Sequence, residues 1–140
     1  MINQKPQIRS FLFLMVSFFL FFSCKKAEQS IKAGELLKGK WELRTSNNGL
    51  SGEIQNYASR NGNILTFDGA RYEIYLEGKL LKKGVYQLIR EESTLTKKMV
   101  TKIVYDNQPN SMKCVIDVSD GKLMYGIDAF DGTASVYERM

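Results

Sequence analysis

From Lys40 onward the chain is cut into short runs by two-residue turn signals: Asp68-Gly69, Glu77-Gly78, Asp120-Gly121 and Asp131-Gly132. Within the runs, apolar residues recur at every second position. Tyr72, Ile74 and Leu76 alternate with Arg71, Glu73 and Glu77, and Leu123, Tyr125 and Ile127 keep the same spacing. A period of two places such residues on one face of a strand, and Asp-Gly supplies the positive φ angles of a tight hairpin. A helical bundle is excluded. Strands joined to their sequence neighbours are the expected building blocks.

Eight strands are predicted, over residues 40–45, 64–67, 71–77, 80–90, 95–105, 112–119, 122–128 and 133–139. Residues 46–63 read as one long polar loop, and 31–37 carry enough apolar residues for one or two helical turns. Gly84 marks a bulge or bend in the fourth strand. Hairpin-length connections favour an antiparallel meander over Greek-key crossings. A meander must hide its two edges, and closing into a barrel removes them altogether. The alternative is a two-sheet sandwich.

The first 23 residues read differently. Lys5 and Arg9 precede an apolar run from Phe11 to Phe22, which the small Ser23, Cys24 and then Lys25-Lys26 bring to an end. A basic start, a short apolar run and a small residue before a cut form a secretory signal, and the run is short for a membrane span of roughly 20 residues. Phe21, Ser23 and Cys24 resemble the cleavage site of bacterial lipoproteins, with the Phe-rich character of the Bacteroidetes type. That resemblance implies a diacylglyceryl thioether on Cys24, cleavage before it and acylation of the new amino terminus. Residues 24–34 are then a lipidated tether and 35–140 the folded domain. The resemblance also places the protein at the outer membrane. Because Lys25-Lys26 is not the acid-rich signal of surface display, the periplasmic face is expected.

Removing residues 1–23 leaves 117 residues and, with Lys5 and Arg9 gone, lowers the net charge from +5 to +3. One modest domain without a concentrated basic face argues against nucleic acid as a partner. Lys79, Lys82 and Lys83, and then Lys97, Lys98 and Lys102, read as solvated outer faces, with anionic headgroups the sharper alternative. There is no histidine, so Ser-His and Cys-His nucleophiles and His metal sites are excluded. With Cys24 lipidated, Cys114 has no partner and reads as a buried thiol.

The remaining candidates for chemistry read as structure. Ser119-Asp120-Gly121-Lys122 has the Ser-x-x-Lys spacing but straddles a hairpin instead of a helical turn. Asp128, Asp131 and Gly132 lack the other ligands of a calcium loop. Glu91-Glu92 has no cleft signal beside it. No catalytic residue, metal ligand or cofactor site is predicted.

At Gly39-Lys40-Trp41, preceded by Leu36-Leu37, the chain resembles the lipocalins and bacterial lipocalin-like domains. Leu65-Thr66-Phe67-Asp68, Gly84-Val85-Tyr86 and Tyr137-Glu138-Arg139 add to the likeness, which covers about 35–140. The resemblance implies an all-β, eight-stranded antiparallel meander closed into a lipocalin-like (calycin) barrel, with a short N-terminal helical turn. It also implies that Arg139 lies across the Trp41 ring and closes the floor. An eight-stranded barrel either fills its interior or holds one small ligand. Tyr72, Ile74, Met99, Thr101, Ile103, Tyr105 and Tyr125 are the expected ligand-lining set. Two functions follow as expectations: a membrane-anchored binder or carrier of a small apolar ligand, or a filled-core barrel whose long loop (46–63) grips a protein partner.

Overall fold

A computed structural model describes residues 32–108 and 112–140. The signal segment, Cys24 and most of the tether lie outside the described residues. The chain forms nine antiparallel strands: β1 (Gly39–Asn47), β2 (Ile54–Asn56), β3 (Ile64–Asp68), β4 (Arg71–Leu76), β5 (Lys79–Glu92), β6 (Met99–Tyr105), β7 (Cys114–Ser119), β8 (Lys122–Ile127) and β9 (Ala134–Arg139). Neighbours pair in the order β2-β1-β3-β4-β5-β6-β7-β8-β9, and β1 also pairs with β9. That last pairing closes an eight-stranded barrel of β1 and β3–β9, and the architecture fits the lipocalin-like barrel expected from sequence.

Turn chemistry places the strands. Glu77 and Gly78 (φ 51° and 79°) and Asp120 and Gly121 (φ 50° and 72°) both adopt the paired positive φ that suits the right-handed twist of a two-residue hairpin. Ser119 faces Lys122 across the second hairpin, so their sequence spacing serves a turn.

The differences from expectation are local. The long loop contains β2, whose three exposed residues pair with Thr45–Asn47. They carry no alternating pattern and are ordered by the edge that the upper half of β1 offers. The bulge in β5 falls between the Ile74–Lys82 and Tyr75–Leu80 pairs, not at Gly84. Gly84 is needed because a Cβ there would collide with the Asp106 carboxylate and approach the Tyr72 ring. β6 begins at Met99, since residues 93–98 form a turn with the Ser93 hydroxyl accepting from the Leu95 and Thr96 amides.

β5 changes partner at its midpoint. Lys79–Val85 pairs with β4 and Tyr86–Glu92 with β6. The first half therefore runs past the end of β6 as a free edge beside β4, and this β4–β5 ribbon is backed by β3, which pairs with β4 from Arg71 to Tyr75. Its tip is fastened to the first loop: the Gly78 amide donates to Gly62 O at 2.9 Å and the Glu77 amide to Asn63 Oδ1 at 3.0 Å.

The core is Leu37, Trp41, Leu65, Phe67, Tyr72, Tyr86, Ile103, Cys114, Ile116 and Leu123. Ile74, Leu88, Tyr105, Val118, Tyr125, Ile127 and Tyr137 pack against it while only partly buried. Burying a large side chain contributes about 1.5–3 kcal/mol, so this one cluster dominates the stability of the fold.

Candidate functional site

The two ends of the barrel are built differently. At the base, a helical turn over 32–37 presents its last carbonyls to β1 and β9. Trp41 Nε1 donates to Leu37 O at 2.7 Å, and the Arg139 guanidinium donates to Leu36 O at 2.6 Å and Lys38 O at 2.7 Å. The Arg139 Cζ lies 4.2 Å from the Trp41 ring centroid. These bonds satisfy carbonyls that a helix end leaves without partners, and a stacked cation adds about 0.5–1 kcal/mol at an exposed site. Gly39, at φ 133°, passes beneath: a Cβ there would sit 2.6 Å from Arg139 Nη1. Leu36, Thr101, Ile116 and Val118 leave only a crevice of about 80 Å³ at this end.

The other end is open. A cavity of about 330 Å³ has walls of Leu43, Leu65, Ile74, Leu76, Leu81 and Tyr137, with Gln55 and Tyr57 from the first loop at its edge. The loop holds these two in place through β1. The Tyr57 amide donates to Arg44 O at 2.8 Å, Asn61 Nδ2 donates to Leu43 O at 2.8 Å, and the Arg60 amide donates to Glu42 Oε2 at 3.1 Å. Burial works against ionising Glu42, but the Arg60 amide and the Arg44 guanidinium outweigh it and hold its carboxyl below the usual range. Burial, with the Tyr57 phenol adding to it, pushes Tyr137 up to about 12. Tyr137 is thus a neutral hydrogen-bond donor at any physiological pH.

Of the residues expected to line a ligand, only Ile74 reaches this cavity. Tyr72 and Ile103 are fully packed in the core. Tyr105 and Tyr125 pack against the core while only partly buried, Tyr125 also bordering a second hollow on the barrel's outside, and burial raises both phenols and the Cys114 thiol nearby. The Tyr105 ring stands 4.5 Å from that of Tyr72. Thr101 lines the crevice at the base, and Met99 is 46% exposed at the start of β6. The inward period is correct for both, but they sit at the plugged end. Leu43 and Tyr137 have the same inward period and lie nearer the opening. Tyr57 and Leu81 carry no periodic signal, because a loop and a bulge place them.

A second hollow, of about 410 Å³, lies on the barrel's outside between the β5–β6 turn and β2, with Leu95, Val100, Val115, Met124, Val136 and Ile54 in its lining. The turn is latched by Asp128, which accepts from Ser93 Oγ at 2.7 Å, from the Thr94 amide at 2.8 Å and from Lys102 Nζ at 3.0 Å. The Thr94 amide does most to hold the Asp128 carboxyl far below its ordinary range, although burial opposes it. Lys102, expected on a solvated face, is buried in this ion pair, and Glu91 is taken by Lys113 at 2.6 Å. Asp128 is therefore a latch for the turn. Among the described residues, no cluster of His, Cys, Asp or Glu is placed to hold a metal ion.

Comparison with protein-family models, curated proteins and solved structures finds no match to this chain. The functional reading rests on geometry.

Proposed function

We propose that the protein is a non-catalytic, lipocalin-like lipoprotein of the bacterial cell envelope. Lipid on Cys24 holds it at the outer membrane, on the periplasmic face, and it binds a small apolar ligand in the mouth of its barrel. The observation that carries the binding half is the 330 Å³ cavity, where Leu43, Leu65, Ile74, Leu76 and Leu81 meet Gln55, Tyr57, Asn63, Glu77 and Tyr137. Binding sites for small molecules are commonly of this kind, concave and apolar with a few placed polar groups. The anchoring half rests on Phe21, Ser23 and Cys24 alone.

Thermal unfolding with and without lipid extracts, fatty alcohols and terpenoids tests the binding half. A ligand at a hundred times its dissociation constant adds about 2.7 kcal/mol, which shifts the melting temperature measurably. Ile74→Phe narrows the cavity and is expected to abolish that shift while the protein stays folded. No shift with any extract defeats the reading. Mass spectrometry of the membrane fraction tests the anchor, and an unmodified Cys24 removes it.

The outer hollow favours a second reading, a barrel that grips another protein. Its surface would be the latched turn and β2, not the whole of the 46–63 loop, since that loop is stitched to β1. Substituting Met124→Lys within the hollow separates the two: it should end capture of a protein partner and leave ligand-induced stabilisation intact.

A further inference from the structure

The β4–β5 ribbon carries three exposed leucines at the barrel's open end. Leu76, Leu80 and Leu81 are 53%, 47% and 66% exposed. Leu76 and Leu81 belong to the cavity wall, and Leu80 lies opposite Tyr75 on the ribbon. Three leucines in water at one hairpin tip are costly unless something covers them, because each forgoes much of the 1.5–3 kcal/mol that burial provides. A scattered exposed leucine needs no explanation, but three at one hairpin tip, Leu76 and Leu81 towards the cavity and Leu80 on the face of Tyr75, point to an interaction site.

The charge around the patch selects the kind of surface that would cover it. The ribbon holds Arg71, Lys79, Lys82 and Lys83 against Glu73 and Glu77. Lys82 is spent on Asp106, at 2.9 Å. The Glu73 carboxylate accepts from the Tyr75 hydroxyl at 2.8 Å. Lys79 and Lys83 flank the leucines on the same strand, and the ribbon's net charge is positive. The tip is also rigid, since Gly78 and Glu77 are tied to Gly62 and Asn63. A fixed tip of leucines with a tyrosine beside them and lysines at the flanks suits the boundary between acyl chains and anionic headgroups.

We infer that the tip of the β4–β5 ribbon docks onto an anionic phospholipid surface, so that the barrel's mouth faces the bilayer. The geometry makes the docking surface and the cavity wall one structure, since Leu76 and Leu81 serve both. An apolar molecule leaving the bilayer beneath the tip meets the cavity without crossing water. The docking itself does not depend on any ligand being bound.

The test uses the full chain reconstituted into vesicles of brominated phosphatidylcholine, with and without phosphatidylglycerol. Leu81→Trp reports the ribbon tip, and Lys122→Trp reports the exposed β7–β8 hairpin as a control that shares the same anchor. Emission from Leu81→Trp should be quenched in vesicles containing phosphatidylglycerol, while Lys122→Trp should stay at the level of the parent protein, whose Trp41 is buried. Adding Lys79→Gln or Lys83→Gln should weaken tip docking about fivefold for each lysine removed. Equal quenching at both positions overturns the inference, because the anchor alone then accounts for it. So does quenching at the tip that ignores phosphatidylglycerol. So does a tip shielded without lipid in a concentration-dependent way, which would make the occupant a second copy of the chain.

Discussion

The barrel's base and mouth use similar residues to opposite ends. Both have an aromatic ring and inward leucines. At the base, the ring and its lid are tied to the helical turn: the indole has Leu37 O and the guanidinium has Leu36 O and Lys38 O. At the mouth, Tyr137 and Tyr57 face a cavity between apolar walls, and leucines that could have been packed are left in solvent. The difference lies in what covers each end. A helical turn fills the base, whereas the first loop is drawn aside by β2 and its bonds to β1 and leaves the mouth open. Packed side chains fill the end that is plugged, and open space lies at the end that is not.

The sharpest way to break this contrast is Trp41→Ala. Removing a fully buried indole costs about 3–5 kcal/mol, and urea denaturation should show a loss of that size or outright unfolding. A cost below 1 kcal/mol would mean that the base does not hold the barrel. Gly39→Ala comes next. Its positive φ and the approach of Arg139 Nη1 strain any side chain by about 1–3 kcal/mol, and near-ultraviolet circular dichroism should show the Trp41 signal weakening along with stability.

Acid probes the latch beside the outer hollow. The folded state depresses the Asp128 carboxyl, so its contribution is present above the ordinary aspartate value of about 3.9 and is lost as pH falls further. The wild type should lose stability below about pH 4 more steeply than Asp128→Asn, and amide exchange at Thr94 should rise in that variant at neutral pH. Parallel acid profiles for the two proteins would contradict the latch. The smallest effect belongs to the mouth: Leu81→Ser should change stability by no more than about 0.5 kcal/mol, as at other exposed positions. A larger cost would show the ribbon tip to be structural.

The barrel could be read from its residues because its rules are local. The inward period of Tyr72 and Ile74, or of Leu123 and Tyr125, is visible wherever one face is buried, and Asp120-Gly121 needs no tertiary information to turn. The placing of Arg139 over Trp41 follows from a resemblance instead of from spacing. The cavity was much less legible. Period two tells which face a residue occupies but not its height in a tilted, staggered barrel, so Thr101 and Met99 belong to the inward set yet lie at the wrong end. Tyr57 is brought to the mouth by its own backbone bond to Arg44 and by the bonds of Asn61 and Arg60 to β1, from a segment without pattern. Leu81 arrives there because β5 bulges opposite Ile74 and Tyr75. Lys102 could not be distinguished from its solvated neighbours, because its partner, Asp128, lies just past the end of β8, two strands away from β6.

The pairing of β1 with β9 sets a condition on when this protein can exist at all. Trp41 lies opposite Arg139 and Asn47 opposite Ala134, so the seam joins residues almost a hundred positions apart. Such distant contacts repay the entropy of closing the chain only at the end of folding. Until Ala134–Arg139 arrive, β1 has a bare edge and the indole has no lid. A chain that emerges in order from its beginning is therefore an open ribbon until its last strand arrives, and only the complete chain can seal the barrel.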